Sequence, residues 1–217
     1  MDEKNTDNNL LNLVKNGYNE IANIYNSTTD KNITKLEIFK DFISLLGKEK
    51  RILDLGCGSG LKVGEYFFKN DFKYTGIDFS EEQINLAKKN FPYQKNCFQR
   101  AEMVQYCKQL SNDSFDGVIA LFSIFHLPIN KQVQLFIEIN RILTDKSPML
   151  ITVSTSDDEG IVENWLGGTS PMYWSNKLPS WYEEKLSEIG FEKVEGYTRT
   201  VFFDNKDEIQ NFLLYKT

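Results

Sequence analysis

Asp54, Gly56, Gly58 and Gly60 stand at alternate positions in residues 52–60, ILDLGCGSG. Glycines at that spacing tolerate positive φ and let backbone N–H groups approach a ligand without interference from Cβ atoms. A carboxylate two residues ahead of the first glycine would repel a pyrophosphate, so Asp54 suits a ligand whose nearby group is cationic, such as an amino acid ammonium. A second carboxylate, Asp78, lies 22 residues after Gly56. There, an acid at the end of a second strand accepts both hydroxyls of a ribose. Together the two acids specify a nucleoside with a cationic tail and no required phosphate. The only histidine, His126, titrates near neutral pH and could take a proton from a nucleophile; equally, it could pack against or cap a helix starting near Pro128.

These groups need a sheet to hold them. Ile52, Leu53 and Leu55 read as a strand buried on both faces. A helix over about 62–69 follows, with Val63, Tyr66 and Phe67 toward the sheet. Residues 73–80, KYTGIDFS, form a second strand; Ser80 caps the next helix with Gln83 as its capping-box partner. Ile84, Ala87 and Phe91 line one face of that helix. The dinucleotide fingerprint G-x-G-x-x-G/A is a competing reading, but the position it reserves for a small residue holds Leu61. A third strand over 94–99 leads to Arg100, Ala101 and Glu102. The fourth, 115–121, delivers Ala120, Leu121 and Ser123 to the point where strand order reverses, where open α/β sheets bind ligands.

Around this frame, residues 1–9 are expected to fray. A helix over 10–25 puts Tyr18, Ala22 and Tyr25 on one face, either docked on the core or closed over a ligand. A second helix, 34–46, buries Leu36, Phe39, Ile43 and Leu46 and stops at Gly47. A helix over 130–143 presents Val133, Phe136, Ile137, Asn140 and Leu143, and 148–154 is a fifth strand. Residues 155–179 are long for a connection; Trp165, Met172, Tyr173 and Trp174 make them a lid or a local hydrophobic plug. Ser180, with Glu183, opens a last helix that buries Tyr182, Leu186 and Ile189 and ends at Gly190. Strands 191–203 and 209–215 finish the chain as an antiparallel edge.

The segments DLGCGSG (54–60), GIDFS (76–80), FDGVIALFSIFHL (115–127) and YNEIANIY (18–25) resemble class I S-adenosylmethionine-dependent methyltransferases, over roughly residues 15–217. The resemblance implies an α/β, Rossmann-like, mostly parallel sheet of seven strands, order 3-2-1-4-5-7-6 with strand 7 antiparallel, and helices on both faces. It implies S-adenosylmethionine as cofactor, with S-adenosylhomocysteine as product. The turn Gly56, Cys57, Gly58, Gly60 would admit the methionine and ribose, and Asp54 would assist the ammonium. Asp78 would hold the ribose; Phe79 and Gln83 would flank adenine, with Ala101 and Glu102 nearby. Ala120 and Leu121 would offer backbone carbonyls, and Tyr25 would close over the cofactor. Tyr18, Ser123, Tyr173 and Trp174 are acceptor-side candidates, and His126 the candidate base. Family members place an adenine-contacting acid near Glu102, though here Arg100 takes the preferred position and Glu102 could simply be solvated.

A net charge of −6 over 217 residues argues against a general nucleic-acid surface and favours a small-molecule or protein substrate, with a small-molecule acceptor preferred. No apolar run approaches the roughly 18 residues a membrane span needs, and the polar start MDEKNTDNN reads as neither signal nor transit peptide. Three cysteines without paired spacing read as reduced thiols of a cytoplasmic protein, and a single histidine disfavours zinc. The expectation is one methyltransferase domain over 1–217, monomeric or homodimeric, with a helical flap at about 10–47 and a lid-like insertion at about 155–179. A non-catalytic S-adenosylmethionine-binding protein and an NAD(P)-dependent oxidoreductase remain the alternatives. No P-loop, nucleophile elbow or glycosidase-like carboxylate pair is present.

Overall fold

The computed structural model describes residues 3–28, 37–47, 50–61, 63–203 and 207–217. Helices α1 (Glu3–Thr28) and α2 (Glu37–Leu46) precede a regular alternation of strand and helix. It runs β1 (Arg51–Leu55), α3 (Gly64–Lys69), β2 (Lys73–Asp78), α4 (Glu81–Asn90), β3 (Phe98–Arg100), α5 (Met103–Gln109), β4 (Gly117–Ala120), α6 (Ile129–Ile142) and β5 (Pro148–Ser154). A small hairpin, β6 (Glu159–Val162) and β7 (Met172–Ser175), then interrupts before α7 (Pro179–Ile189), β8 (Phe191–Phe203) and β9 (Asp207–Lys216).

The main sheet has order β3-β2-β1-β4-β5-β9-β8, with β1 to β5 parallel and β9 inserted antiparallel between β5 and β8. This is the expected topology; the hairpin inside the 155–179 segment only shifts the count of the last two strands. Alternate residues of each strand feed opposite faces. Leu53, Leu55, Val118, Ala120, Met149 and Ile151 pack with α5, α6 and α7. Ile52, Ile119, Leu150 and Leu213 pack with Phe39 and Phe42 of α2 and with α3 and α4. Each large apolar side chain so enclosed contributes about 1.5–3 kcal/mol. Among the described residues, no helix is long and apolar enough to cross a membrane.

Several local expectations need correction. Helix α1 begins at Glu3, not near residue 10, because its first turns are anchored: Leu11 joins the core and Asn130 Nδ2 donates to Asp7 Oδ2 at 3.0 Å. Residues 1–2, 34–36 (with Leu36) and Lys62 lie outside the described residues. The face of α6 is rotated from the expected one. Leu135, Phe136, Ile139 and the polar Gln132 are buried, whereas Ile137 is 50% exposed. Gln132 is tolerated because its amide is fully used: Nε2 donates to Leu127 O and Ser175 O, and Oε1 accepts from Tyr182 Oη, all at 2.8 Å. Helix α7 starts on Pro179, whose fixed φ suits the first turn, so Ser180 is no cap and Glu183 instead pairs with Lys193 at 2.5 Å. Strand β3 is only Phe98–Arg100, preceded by a 3₁₀ turn, Lys95–Cys97.

Helix α1 lies across the carboxyl ends of the parallel strands and joins the hairpin in a third small core, where Val14 and Ile21 meet Met172 and Tyr173. The fit is close: a Cβ on Gly17 would lie 2.7 Å from Met172 Cε, and one on Gly168 2.7 Å from Ile21 Cγ2. Polar ties reinforce it, Glu20 accepting from Thr169 N and Ser170 N at 2.8 Å each.

Candidate functional site

The glycine turn is held by what surrounds it. Gly56, Gly58 and Gly60 have φ of 80°, 54° and 75°, a region that costs an L-residue with a side chain roughly 1 kcal/mol or more. A Cβ on Gly56 would sit 2.4 Å from Ser123 Cβ, and one on Gly60 2.9 Å from the Phe98 ring. The amides of Gly56 and Cys57 both donate to Ile77 O at 2.9 Å, which binds the turn to the end of β2.

That end carries Asp78. Its Oδ2 accepts from Gly58 N at 2.9 Å and its Oδ1 from Ser80 N at 2.8 Å. The carboxylate is thereby oriented toward the turn, and an ionised carboxylate has about four acceptor positions. Ser80 Oγ accepts from Gln83 N at 3.1 Å, half of the expected capping box. The reciprocal half is missing because Ser80 N is taken by Asp78. The Gln83 side chain is therefore left over: it is 1% exposed, and neither its Nε2 nor its Oε1 has a hydrogen-bond partner. A buried bare amide costs about 1–3 kcal/mol, and this one faces the cleft beside Gly58 and Asp78.

The cleft is a partly open depression of about 640 Å³, the solvent space at its mouth included. Of the expected residues, Tyr18, Tyr25, Gly56, Gly58, Asp78, Phe79, Gln83, Glu102, Ser123 and His126 line it. Glu102 is half committed, its carboxylate capping α5 by accepting from Val104 N and Gln105 N at 2.9 Å each. Ser123 Oγ donates to Leu55 O at 2.7 Å.

The remaining expected residues stand back from the cleft. Asp54 points behind the turn, where Tyr74 Oη donates to its Oδ2 at 2.6 Å. Cys57 and Leu121 are buried in the core on the α2, α3 and α4 side of the sheet, and Ala120 and Ala101 belong to the opposite one. Gly60 abuts Phe98 and Phe91. Trp174 lies behind His126, ring centroids 4.3 Å apart. The Tyr173 side chain turns away to donate to Glu159 Oε1 at 2.7 Å, yet its backbone oxygen meets His126 Nδ1 at 2.9 Å.

His126 is thus gripped at both nitrogens, for Tyr18 Oη is 2.8 Å from Nε2. A carbonyl only accepts, so Nδ1 carries a proton, and in the neutral ring the Tyr18 hydroxyl donates to Nε2. Burial, then the charges of Tyr25 and Asp78, push the Tyr18 phenol well above its usual range, which keeps it a donor.

Other lining residues were invisible in the sequence: Leu11, Val14 and Lys15 of α1, and Met103, Phe122 and Leu127. Lys15 Nζ lies 5.8 Å from the Phe79 ring centroid. Phe122 could have been suspected from its place just beyond β4, and its backbone is strained, with φ of 59°. For a bulky residue such strain costs about 1–3 kcal/mol and clusters at functional sites.

Known proteins resemble this chain in sequence and in fold. A family described as methyltransferase domain matches residues 52–146. The chain is 32% identical over 156 residues to an O-methyltransferase of Pyrenophora dematioidea, covering 67% of this chain and 55% of that protein. It is 33% identical over 101 residues to a ubiquinone biosynthesis O-methyltransferase of Dechloromonas aromatica (strain RCB), covering 46% and 42%. The chain spans about half the length of the curated relatives it matches. The fold is similar to that of 1,6-didemethyltoxoflavin-N1-methyltransferase from Burkholderia thailandensis, solved with 1,6-didemethyltoxoflavin and S-adenosylhomocysteine (TM-score 0.72, 16% identity, 97% of this chain and 90% of that one). It is also similar to that of the [4+2]-cyclase SpnF (TM-score 0.71, 15% identity, 93% and 95%).

Proposed function

Because the chain carries a class I S-adenosylmethionine-dependent methyltransferase domain, we propose that it binds S-adenosylmethionine in this cleft and transfers the methyl group to a hydroxyl of a small, largely apolar molecule. The observation that carries the reading is the cradle of Gly58, Asp78 and Gln83. It combines an oriented carboxylate and a buried amide without partners at the place where a nucleoside's ribose and base would lie. The relatives named as O-methyltransferases support the hydroxyl as acceptor. The apolar lining from Leu11, Val14, Met103, Phe122 and Leu127 supports a molecule with little charge, and the acidic net charge favours it over a nucleic acid.

When bound, S-adenosylmethionine supplies a methyl carbon already activated by its sulfonium. The residues of this chain have the simpler work of binding, alignment and exclusion of water. Asp78 accepts hydroxyl protons of the ribose, Gln83 offers its amide to the nucleoside, and Phe79 provides an apolar face. Tyr18 and Tyr25 on α1 close the cleft from above. His126 is the one imidazole able to accept a proton near neutral pH. Asp54 has no direct part; it braces the strand from which the turn departs.

Titration calorimetry with S-adenosylmethionine tests the reading. Binding near micromolar, about −8 kcal/mol, that collapses in Asp78→Ala, with none of NADH, is the expected result. Affinity indifferent to Asp78 would move the ligand elsewhere, and binding without transfer to any hydroxyl compound would favour a non-catalytic binding protein.

A further inference from the structure

Three groups from three separate elements form one chain of hydrogen bonds along the cleft. Tyr25 packs edge-on against Tyr18, ring centroids 5.2 Å apart. Tyr18 Oη reaches His126 Nε2 at 2.8 Å, and His126 Nδ1 reaches the Tyr173 carbonyl at 2.9 Å. The tyrosines come from α1, the histidine from the 3₁₀ turn Ile124–His126 after β4, and the carbonyl from β7 of the hairpin. The ring of His126 is only 5% exposed and is walled by Trp174 and Phe125, with centroids at 4.3 and 5.0 Å. An acceptor in the cleft therefore meets the Tyr18 oxygen ahead of the histidine's basic nitrogen.

We infer that Tyr18 is the proton relay between acceptor hydroxyl and His126, and that this relay is assembled only when α1 and the β6–β7 hairpin are docked together. The inference rests on the methyltransferase reading for its chemistry, though not for its geometry. In the step, the Tyr18 oxygen takes the acceptor's O–H proton while Tyr18 passes its own proton to Nε2. The O–H electron pair stays on the acceptor oxygen, which bonds the methyl carbon, and the pair of the breaking S–C bond stays on sulfur. The positive charge lost at sulfur reappears on the imidazolium. The charge is stabilised through Nδ1–H on the Tyr173 carbonyl, and the extra proton leaves to water when the cleft opens. The elevated pKa of Tyr18 fits this role: the phenol is protonated at neutral pH and passes a proton without becoming a resting phenolate. The other ionisable groups lining the cleft are Asp78, Glu102 and Lys15. Asp78 is held by backbone amides, Glu102 caps α5, and Lys15 lies over Phe79 with its Nζ 3.2 Å from Asn12 Oδ1.

Since His126 is the only histidine, its two ring nitrogens can be read without assignment ambiguity by ¹⁵N magnetic resonance. Wild-type protein with S-adenosylhomocysteine is expected to show one protonated nitrogen and one hydrogen-bonded acceptor nitrogen above the ordinary histidine value of about 6.5. Tyr18→Phe should shift the acceptor nitrogen toward the value of a free imidazole. Gly17→Val, which keeps Tyr18 but drives α1 from Met172, should do the same. With S-adenosylmethionine and a panel of simple phenols, Tyr18→Phe should lower kcat by about 100-fold or more with little change in KM. Ring nitrogens unchanged in Tyr18→Phe, the opposite tautomer in wild type, or an unaltered kcat in the variant would overturn the relay. If no phenol is methylated, the nitrogen shifts decide alone. Failure of S-adenosylhomocysteine to bind would instead count against the methyltransferase reading, leaving the tautomer measurable in the free protein.

Discussion

The hydroxyl of Tyr74 on β2 donates to the Asp54 carboxylate on β1 across 2.6 Å, with both side chains under 5% exposed. Burial, and then the charge of Asp54, drive the Tyr74 phenol well above its usual range, so it remains a donor throughout the accessible pH range. The acid that heads the glycine turn is therefore a buttress between adjacent strands.

Tyr74→Phe removes that donor from a buried carboxylate. Stability should fall by about 1.5–3 kcal/mol, read from urea unfolding, whereas S-adenosylhomocysteine affinity should change less than about threefold because Asp54 stands outside the cleft. A stability loss below about 0.5 kcal/mol would mean that Tyr74 contributes little to holding the carboxylate.

Gln83→Met keeps the length and removes the bare amide. The expected result is a higher Tm for the free protein together with affinity for S-adenosylhomocysteine about tenfold weaker, the equivalent of about 1.4 kcal/mol. Such opposite signs mark a group kept for binding at the expense of stability. A lowered Tm would show that the amide has a partner in the folded protein.

Two acids make the fold sensitive to low pH. Glu20 is lowered to about 2, chiefly by the Thr169 amide, and Asp116 to about 2, chiefly by the Arg51 guanidinium that it meets at 2.9 Å through each oxygen. Depressed acids contribute stability that is present above their unfolded values, near 4.5 and 3.8, and is lost as pH falls to about 2. Urea midpoints should be nearly flat in these terms from pH 7 to about 5 and decline below. Asp116→Asn should lower the neutral midpoint and flatten the decline; an unchanged slope would remove Asp116 from the account. Glu20→Gln should behave alike, with faster proteolysis of the loop at Thr169.

Much of the nucleotide half was legible because its signals are local. A buried strand, three glycines and an acid ending the next strand lie within residues 52–78, and backbone geometry links them whatever the rest of the chain does. Hence the turn and Asp78 follow from the sequence, whereas the sheet order was implied only by the family resemblance. Reading became unreliable where a polar residue is buried: Gln132 turned the face of α6, since an apolar stripe cannot reveal an amide satisfied by two carbonyls and a tyrosine from other elements.

The sequence by itself determined the strand–turn–helix frame and the acid beside it, because these depend on steric limits and hydrogen bonds between near neighbours. Only the tertiary structure decided which way the decisive side chains face. Asp54 turns to Tyr74, Gln83 is left bare because Asp78 claims the Ser80 amide, and Tyr18 meets His126 across 108 positions. The physical reason is that the direction of a side chain at the end of a strand, or on a helix laid over one, is set by packing against elements far away in sequence, to which local periodicity carries no reference.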